Sequence, residues 1–108
     1  MSAGSKRRAN PLRGEASLMI DGTAYTLRPS FDALVAAELE LGPLFAVVER
    51  AGEGRLSLND MMVLFWYCLR EKDGLTPEKL GEAILQQGLA NCLPALRIVL
   101  AQICQGGR

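Results

Sequence analysis

The stretch LMIDGTAYTL, residues 18–27, constrains the fold most, because it specifies a β-hairpin. Asp21-Gly22 separates two runs in which apolar and polar residues alternate, and Asp-Gly favours the two-residue type I′ turn that joins antiparallel strands. This turn places Ile20 opposite Thr23 and sets the register of the whole hairpin. Since an isolated two-stranded hairpin is only marginally stable in water, we expect the rest of the chain to cover one of its faces.

The predicted register gives the hairpin one apolar face and one polar face. The apolar face carries Ala16, Leu18, Ile20, Tyr25 and Leu27. The other face carries the pairs Ser17/Thr26 and Met19/Ala24 and ends with the ion pair Glu15/Arg28. We expect the apolar face to pack inward against the first and third helices, and the unpaired strand edges to be a possible docking site for another chain.

Helical patterns occupy the remainder of the chain. Capping residues, glycines and prolines divide it into helices at about 31–41, 43–52, 58–72, 77–87 and 89–105. Ser57 and Asp60 predict a capping box, and Pro94 is expected in the first turn if the last helix is capped near Asn91, or at a kink otherwise. The predicted fold is mainly α with a small N-terminal β-hairpin (α+β), a compact bundle of four to five helices on one hairpin.

The spacing of apolar residues predicts which helix faces are buried. The centre of the third helix is apolar on every side, so this helix is either the buried central helix or one whose outward face meets a partner. The expected buried stripes are Phe31, Leu34, Val35, Leu39 and Leu41 in the first helix and Leu93, Leu96, Leu100 and Ile103 in the last.

Length and charge predict one domain at residues 15–108, preceded by a basic tail at residues 1–14. The first fourteen residues contain Lys6, Arg7, Arg8 and Arg13 but no acidic residue. Such a segment is typical of a flexible, solvated tail, and contact with nucleic acid or an anionic surface is the alternative. The longest apolar run, residues 61–69, is too short to cross a bilayer, and no signal peptide is recognisable, so we expect a soluble cytoplasmic protein.

The residue types argue against catalysis and against a metal or cofactor site. The sequence contains no histidine, which excludes histidine-based acid–base chemistry and histidine ligands. Cys68, Cys92 and Cys104 are far apart and form no ligand pair, so we expect buried, reduced thiols. The acidic residues are spaced as solvated helix faces, and no phosphate-binding glycine loop is present. We therefore expect that the protein is not an enzyme and that it binds neither a cofactor nor a metal.

The segment LFWYC, residues 64–68, is the most unusual part of the third helix. Successive helical residues point about 100° apart, so its aromatic side chains cannot all face one core. They lie either at the rim of the core or in an interface. The candidate partner contacts are Met62, Phe65, Trp66, Tyr67 and Leu69.

A DNA-binding helix-turn-helix is a weaker alternative. The segment LTPEKLGEAI resembles the capped first helix of such a motif. The following segment, LANCLPALRIVLAQIC, offers one arginine on an apolar helix, whereas a recognition helix presents polar and basic side chains. Nucleic acid is therefore not the expected partner.

Three ordered stretches resemble the gene transfer agent family of small phage-tail proteins, grouped with phage tail assembly chaperones. They are NPLRGEASLMIDGTAYTLRPSFDALVAAELELG, GRLSLNDMMVLFWYCLRE and a terminal helix beginning with Gly-Leu, which together cover about residues 10–105. The most specific parts are Arg13-Gly14-Glu15, the pattern AL...E..LG in the first helix, and GRLS..DM at the start of the third. None of these is a catalytic signature.

The resemblance implies a non-catalytic role in building a phage-like tail inside a bacterial host cell. An assembly chaperone would bind the tape-measure protein, tail-tube subunits, or both, and homo-oligomers are possible. The alternative is a structural tail-tube or connector component whose hairpin extends a neighbour's sheet.

Overall fold

The computed structural model describes residues 14–105, which form one hairpin and five helices. The strands are β1 (Ala16–Ile20) and β2 (Thr23–Leu27). The helices are α1 (Phe31–Leu41), α2 (Leu44–Gly52), α3 (Leu58–Cys68), α4 (Pro77–Gln87) and α5 (Leu89–Gln105). The predicted fold class is confirmed, while the predicted basic tail lies outside the described residues except for Gly14.

The hairpin has the predicted register. Ile20 pairs with Thr23, and the pairing continues to Ala16 and Leu27. Asp21 and Gly22 both have positive φ, 51° and 80°, as a type I′ turn requires. The apolar face packs inward as expected, since four of its five side chains are buried and that of Tyr25 is partly buried.

The outer edge of β2 is paired, contrary to the expectation that both hairpin edges are free. Directly after α3 the chain becomes extended, and Leu69 forms an antiparallel bridge with Leu27. The Arg28 N–H donates to the Cys68 carbonyl at 2.6 Å, and the Arg70 N–H donates to the Thr26 carbonyl at 3.0 Å. This pairing explains why α3 ends at Cys68 and not near residue 72, as the sequence predicted.

Glu15 links the start of the hairpin to this pairing segment. Its carboxylate is buried and lies 3.8 Å from the Arg28 guanidinium and 3.9 Å from that of Arg70. The preceding Gly14 has φ 74°, and a Cβ at this position would overlap the Gln102 side chain of α5. The Gly14-Glu15 pair therefore joins the hairpin to the end of the helical bundle.

Local sequence signals account for most helix ends. The side chains of Ser30 and Thr76 accept hydrogen bonds from the backbone N–H groups of Ala33 and Lys79, respectively. Ser57 and Asp60 form the predicted capping box. Pro43 precedes α2 as its N-cap and does not lie in its first turn as expected.

The core lies between the hairpin and the helices. α1 packs on α3, α3 packs on α4, and both α4 and α5 lie against β1. The helices that pack most extensively on β1 are thus α4 and α5, which the sequence did not predict, while Ala37 of α1 and Phe65 of α3 belong to the same core cluster as the apolar face of the hairpin. The largest fully buried side chains are Phe65, Ile20, Leu27, Leu64, Leu80 and Ile84.

The buried faces of the first and last helices differ from the predicted stripes. Ala37 is the fully buried residue of α1, whereas Phe31, Val35 and Leu39 are exposed. In α5 the buried residues are Cys92, Ala95, Leu96 and Val99, and the other predicted core residues of this helix are only partly buried. Both helices are therefore rotated about their axes relative to the prediction.

Pro94 lies inside α5, which begins at Leu89, so the first-turn position expected from a cap near Asn91 is wrong. Asn91 instead donates from its side chain to the Gln87 carbonyl at 2.6 Å, across the break between α4 and α5. Among residues 14–105, no single helix has the length and apolar composition of a membrane span. α4 and α5 meet this test only as a pair, with a bend of 117° between them.

Candidate protein-binding surfaces

A stripe of apolar side chains on α1 faces solvent. Phe31, Val35 and Leu39 are 81%, 41% and 86% exposed. Their spacing of four residues places them on one side of a helix with about 100° per residue. We call these three residues the α1 stripe.

The α1 stripe is exposed because a second apolar face of the same helix is the one that packs on α3. Ala33, Leu34, Ala37 and Leu41 lie on this second face, where they are buried or partly buried in the core. Large exposed apolar groups that share one surface typically mark a protein–protein contact. The α1 stripe is therefore the strongest candidate binding surface of the described chain.

Other large apolar side chains are also exposed, outside the α1 stripe. Phe45, in the first turn of α2, is 75% exposed. A hydrogen bond of 3.0 Å from the Leu44 N–H to the Glu38 carboxylate ties this turn to the end of α1. Met19, Leu85 and Leu89 are exposed elsewhere on the surface.

The structure separates the five predicted partner contacts into two groups. Phe65 and Leu69 are 0% and 3% exposed, so they belong to the core and are not available to a partner in this structure. Met62, Trp66 and Tyr67 are partly exposed, and partner contact by these three stays a prediction. Met62 and Trp66 share a face because they are one helical turn apart.

Trp66 and Tyr67 contact charged groups at the edge of α3. The Tyr67 hydroxyl donates to the Glu40 carboxylate of α1 at 2.7 Å. This hydrogen bond, with smaller contributions from desolvation and the carboxylate charge, raises the pKa of Tyr67. The Lys72 ammonium lies 5.5 Å from the centre of the Trp66 ring, a cation–π distance. Trp66 and Tyr67 thus both interact with charged side chains of the protein itself.

The three cysteines have different environments. All are free thiols; Cys68 and Cys92 are buried as expected, but Cys104 is exposed, which corrects the prediction for that residue. Burial raises the pKa of the Cys92 thiol, and it raises that of Cys68 to about 12 against a smaller opposite effect of Lys72. Within residues 14–105, no three His, Cys, Asp or Glu side chains are grouped so that they could hold a metal ion.

Cys104 is expected to be the one thiol that reacts rapidly with DTNB in the folded protein. The thiolate is the reactive form, and Cys68 and Cys92 are both buried and held protonated. One equivalent should react quickly and the remaining two after unfolding in denaturant. Rapid reaction of a Cys104→Ser variant would contradict this assignment.

Sequence reasoning missed the α1 stripe because it assigned these residues to the core. The sequence does show that α1 is apolar on two sides, one with large side chains and one formed mainly by alanine and leucine, so one of the two sides could have been predicted to be exposed. Small side chains on one helix face allow close packing against a neighbouring helix, and Ala33 and Ala37 lie on the core side of α1, the helix that packs on α3. A helix with two apolar sides can bury either, so its sequence leaves the choice open.

The comparison with protein families identifies the chain. The family described as "Phage tail tube protein, GTA-gp10" matches residues 13–106, which include the hairpin and the five described helices. The searches of curated proteins and of solved structures found no match. The resemblance to small tail proteins of phages and gene transfer agents is thereby confirmed. The chain belongs to the GTA-gp10 family of phage tail tube proteins.

Proposed function

We propose that this protein is a non-catalytic assembly chaperone of a phage-like tail, acting in the cytoplasm of the bacterial host cell. Its partners in this proposal are apolar helical segments of the tape-measure protein, tail-tube subunits, or both. The observation that carries the proposal is the α1 stripe, a row of large apolar side chains facing solvent. Membership of a tail-protein family supplies the biological setting.

The dimensions of the α1 stripe suit a helical partner. From Phe31 to Leu39 the stripe extends over about 12 Å, given a rise of 1.5 Å per residue. Side chains spaced by four residues form the ridge that packs into the groove of a second helix. The side chains of Phe31 and Leu39 would contribute to binding mainly through the burial of their apolar surface. The same contact would protect an apolar helix of the partner from aggregation before the tail is assembled.

Co-expression with the neighbouring tape-measure gene tests the proposal. The wild-type protein should increase the soluble fraction of the tape-measure protein and co-purify with it. The double variant Phe31→Ser/Leu39→Ser should lose both effects. Because these side chains are more than four-fifths exposed, we expect its free energy of unfolding to change by less than about 1 kcal/mol.

A matched control removes two exposed apolar side chains from other places. Met19→Ser/Leu89→Ser should keep the complex, since neither residue lies on α1. If the wild-type protein neither solubilises the tape-measure protein nor binds it, the chaperone function is wrong. If the α1 double variant binds as well as the wild type, the α1 stripe is not the binding surface.

The description of the family favours a second candidate, a structural component of the tail tube or of a connector. In the described chain, β2 is paired at its outer edge by residues after α3, so β1 is the strand that a neighbouring subunit could extend. Part of that edge is already used, because the Gln87 side chain donates to the Met19 carbonyl at 2.6 Å. Stoichiometric amounts of the protein in purified particles would favour the structural role, and its absence from them would favour the chaperone.

A further inference from the structure

A groove of about 400 Å³ lies between α3 and α4, on a surface formed by neither α1 nor the hairpin. Its apolar lining comes from Leu58 and Met62 of α3 and from Pro77 and Leu85 of α4. Leu85 is 60% exposed, so a large apolar group borders open space at this place. The groove therefore offers apolar surface that the described residues leave partly uncovered.

Gly81 lies in the middle of the α4 side of the groove, and the fold itself does not require a glycine there. Its φ is not in the left-handed region, and a Cβ would meet Met62 Cγ at 3.8 Å, an ordinary van der Waals contact. Glycine inside a helix costs about 0.5–1 kcal/mol relative to alanine. A position that tolerates alanine but holds glycine leaves room for a close approach by another backbone.

Glu78 and Glu82 supply the charge of the groove. They are one turn apart on α4, and the residues that line the groove include no basic side chain. Neither carboxylate has a salt bridge among the described residues, and like charges at this spacing weaken a helix slightly. Over residues 14–105 the chain has seven basic and twelve acidic residues, a net charge of −5, so no excess of positive charge compensates them.

We propose that the α3–α4 groove binds a basic amphipathic helix of a partner protein. The apolar stripe of that helix packs on Met62 and Leu85, its backbone approaches α4 at Gly81, and its lysine or arginine side chains pair with Glu78 and Glu82. Gly81 is unfavourable for the isolated helix, and both the glycine and the two carboxylates favour such a partner. The inference goes beyond the proposed chaperone function, because it concerns a different surface and does not depend on the α1 stripe.

The test uses the full chain and a synthetic amphipathic helix with a stripe of leucines flanked by lysines. Binding is followed by NMR, and we expect the amide signals of Met62, Gly81 and Leu85 to shift. Glu78→Gln/Glu82→Gln should weaken the affinity about five- to tenfold through the loss of two charge pairs. The same peptide with glutamate in place of lysine should bind more weakly by at least a similar factor.

A charge-matched variant separates this site from general attraction to an acidic protein. Glu49→Gln/Glu53→Gln removes two exposed carboxylates with the same spacing from α2 and the residue that follows it. It should leave the affinity unchanged. Equal weakening by the two double variants, or shifts confined to the α1 stripe, would overturn the proposal. So would equally tight binding to the groove by a peptide of residues 1–13, since the occupant would then be this chain's own basic segment.

Gly81→Ala distinguishes binding from stability. Because the added methyl fits the structure and favours the helix, the midpoint of thermal unfolding should rise by about 4 °C. The same methyl should weaken peptide binding about tenfold by preventing close approach. Gln86→Ala, on an exposed side of α4, is the control and should leave the affinity unchanged. Unchanged affinity in Gly81→Ala would overturn the assignment of the groove.

Discussion

Replacing Phe65 by alanine is expected to lower the free energy of unfolding by about 3–5 kcal/mol, because it leaves a cavity at the centre of the core. Phe65 is 0% exposed and is among the largest fully buried side chains. A domain of this size is stabilised by about 5–15 kcal/mol in total, so the variant should be close to unfolding at 37 °C. Urea denaturation followed by far-UV circular dichroism measures the change.

Trp66→Ala is the matched comparison at the next position of α3. The ring of Trp66 is partly exposed and contacts the Lys72 ammonium at its face. Its removal should cost about 1–2 kcal/mol, clearly less than the loss of Phe65. Equal destabilisation by the two substitutions, or a smaller effect of Phe65→Ala, would show that the core is not centred on Phe65.

The substitution Arg70→Pro should also strongly destabilise the protein, lowering its free energy of unfolding by about 2–4 kcal/mol. Proline at this position removes the backbone N–H that donates to the Thr26 carbonyl at 3.0 Å, and Thr26 is 8% exposed. The substitution also removes the guanidinium that lies 3.9 Å from the Glu15 carboxylate. The pairing between β2 and the segment after α3 would be disrupted, with loss of protection from hydrogen exchange at Arg28.

Arg70→Ala separates the backbone contribution from the charge. It keeps the N–H and removes only the side chain, which is a quarter exposed, so the expected loss is about 1 kcal/mol. The difference between the two variants measures the role of the edge pairing. If proline and alanine destabilise the protein equally, this hydrogen bond contributes nothing to stability.

The hairpin and most helix boundaries could be predicted because their signals are local. Asp21-Gly22 specifies the type of turn, and the turn fixes the register of the two strands and hence which side chains share a face. The caps at Ser30, Ser57 and Thr76 act on backbone groups three residues away. Such signals remain the same whatever the rest of the chain does, so they can be recognised without a structure.

The end of α3 could not be predicted in this way. The helical pattern continues past Cys68, but Leu69 and Arg70 pair with β2, which is more than forty residues earlier in the chain. The hydrogen bonds to Thr26 and Arg28 replace those that another helical turn would make. The competition between the two arrangements is decided by a contact that is distant in sequence.

The candidate binding surfaces show the same limit. The aromatic segment of α3 is the most unusual part of the sequence and predicts a partner contact, yet Phe65 and Leu69 are core residues, and the α1 stripe is the exposed apolar row. The groove between α3 and α4 is formed by residues from two helices. Only the folded chain places Gly81, Glu78 and Glu82 beside the apolar side chains of α3. Sequence patterns identify apolar faces but do not tell which of them a neighbouring element covers.

The sequence by itself determined the hairpin with its register, the order of the helices within residues 14–105 and most of their ends, and the family to which the chain belongs. The tertiary structure decided which face of α1 is buried, where α3 ends, and which strand edge of the hairpin remains accessible. The physical reason is the range of the interactions. Turns and caps satisfy backbone groups within a few residues, whereas burial and edge pairing depend on elements that come together only in the folded chain.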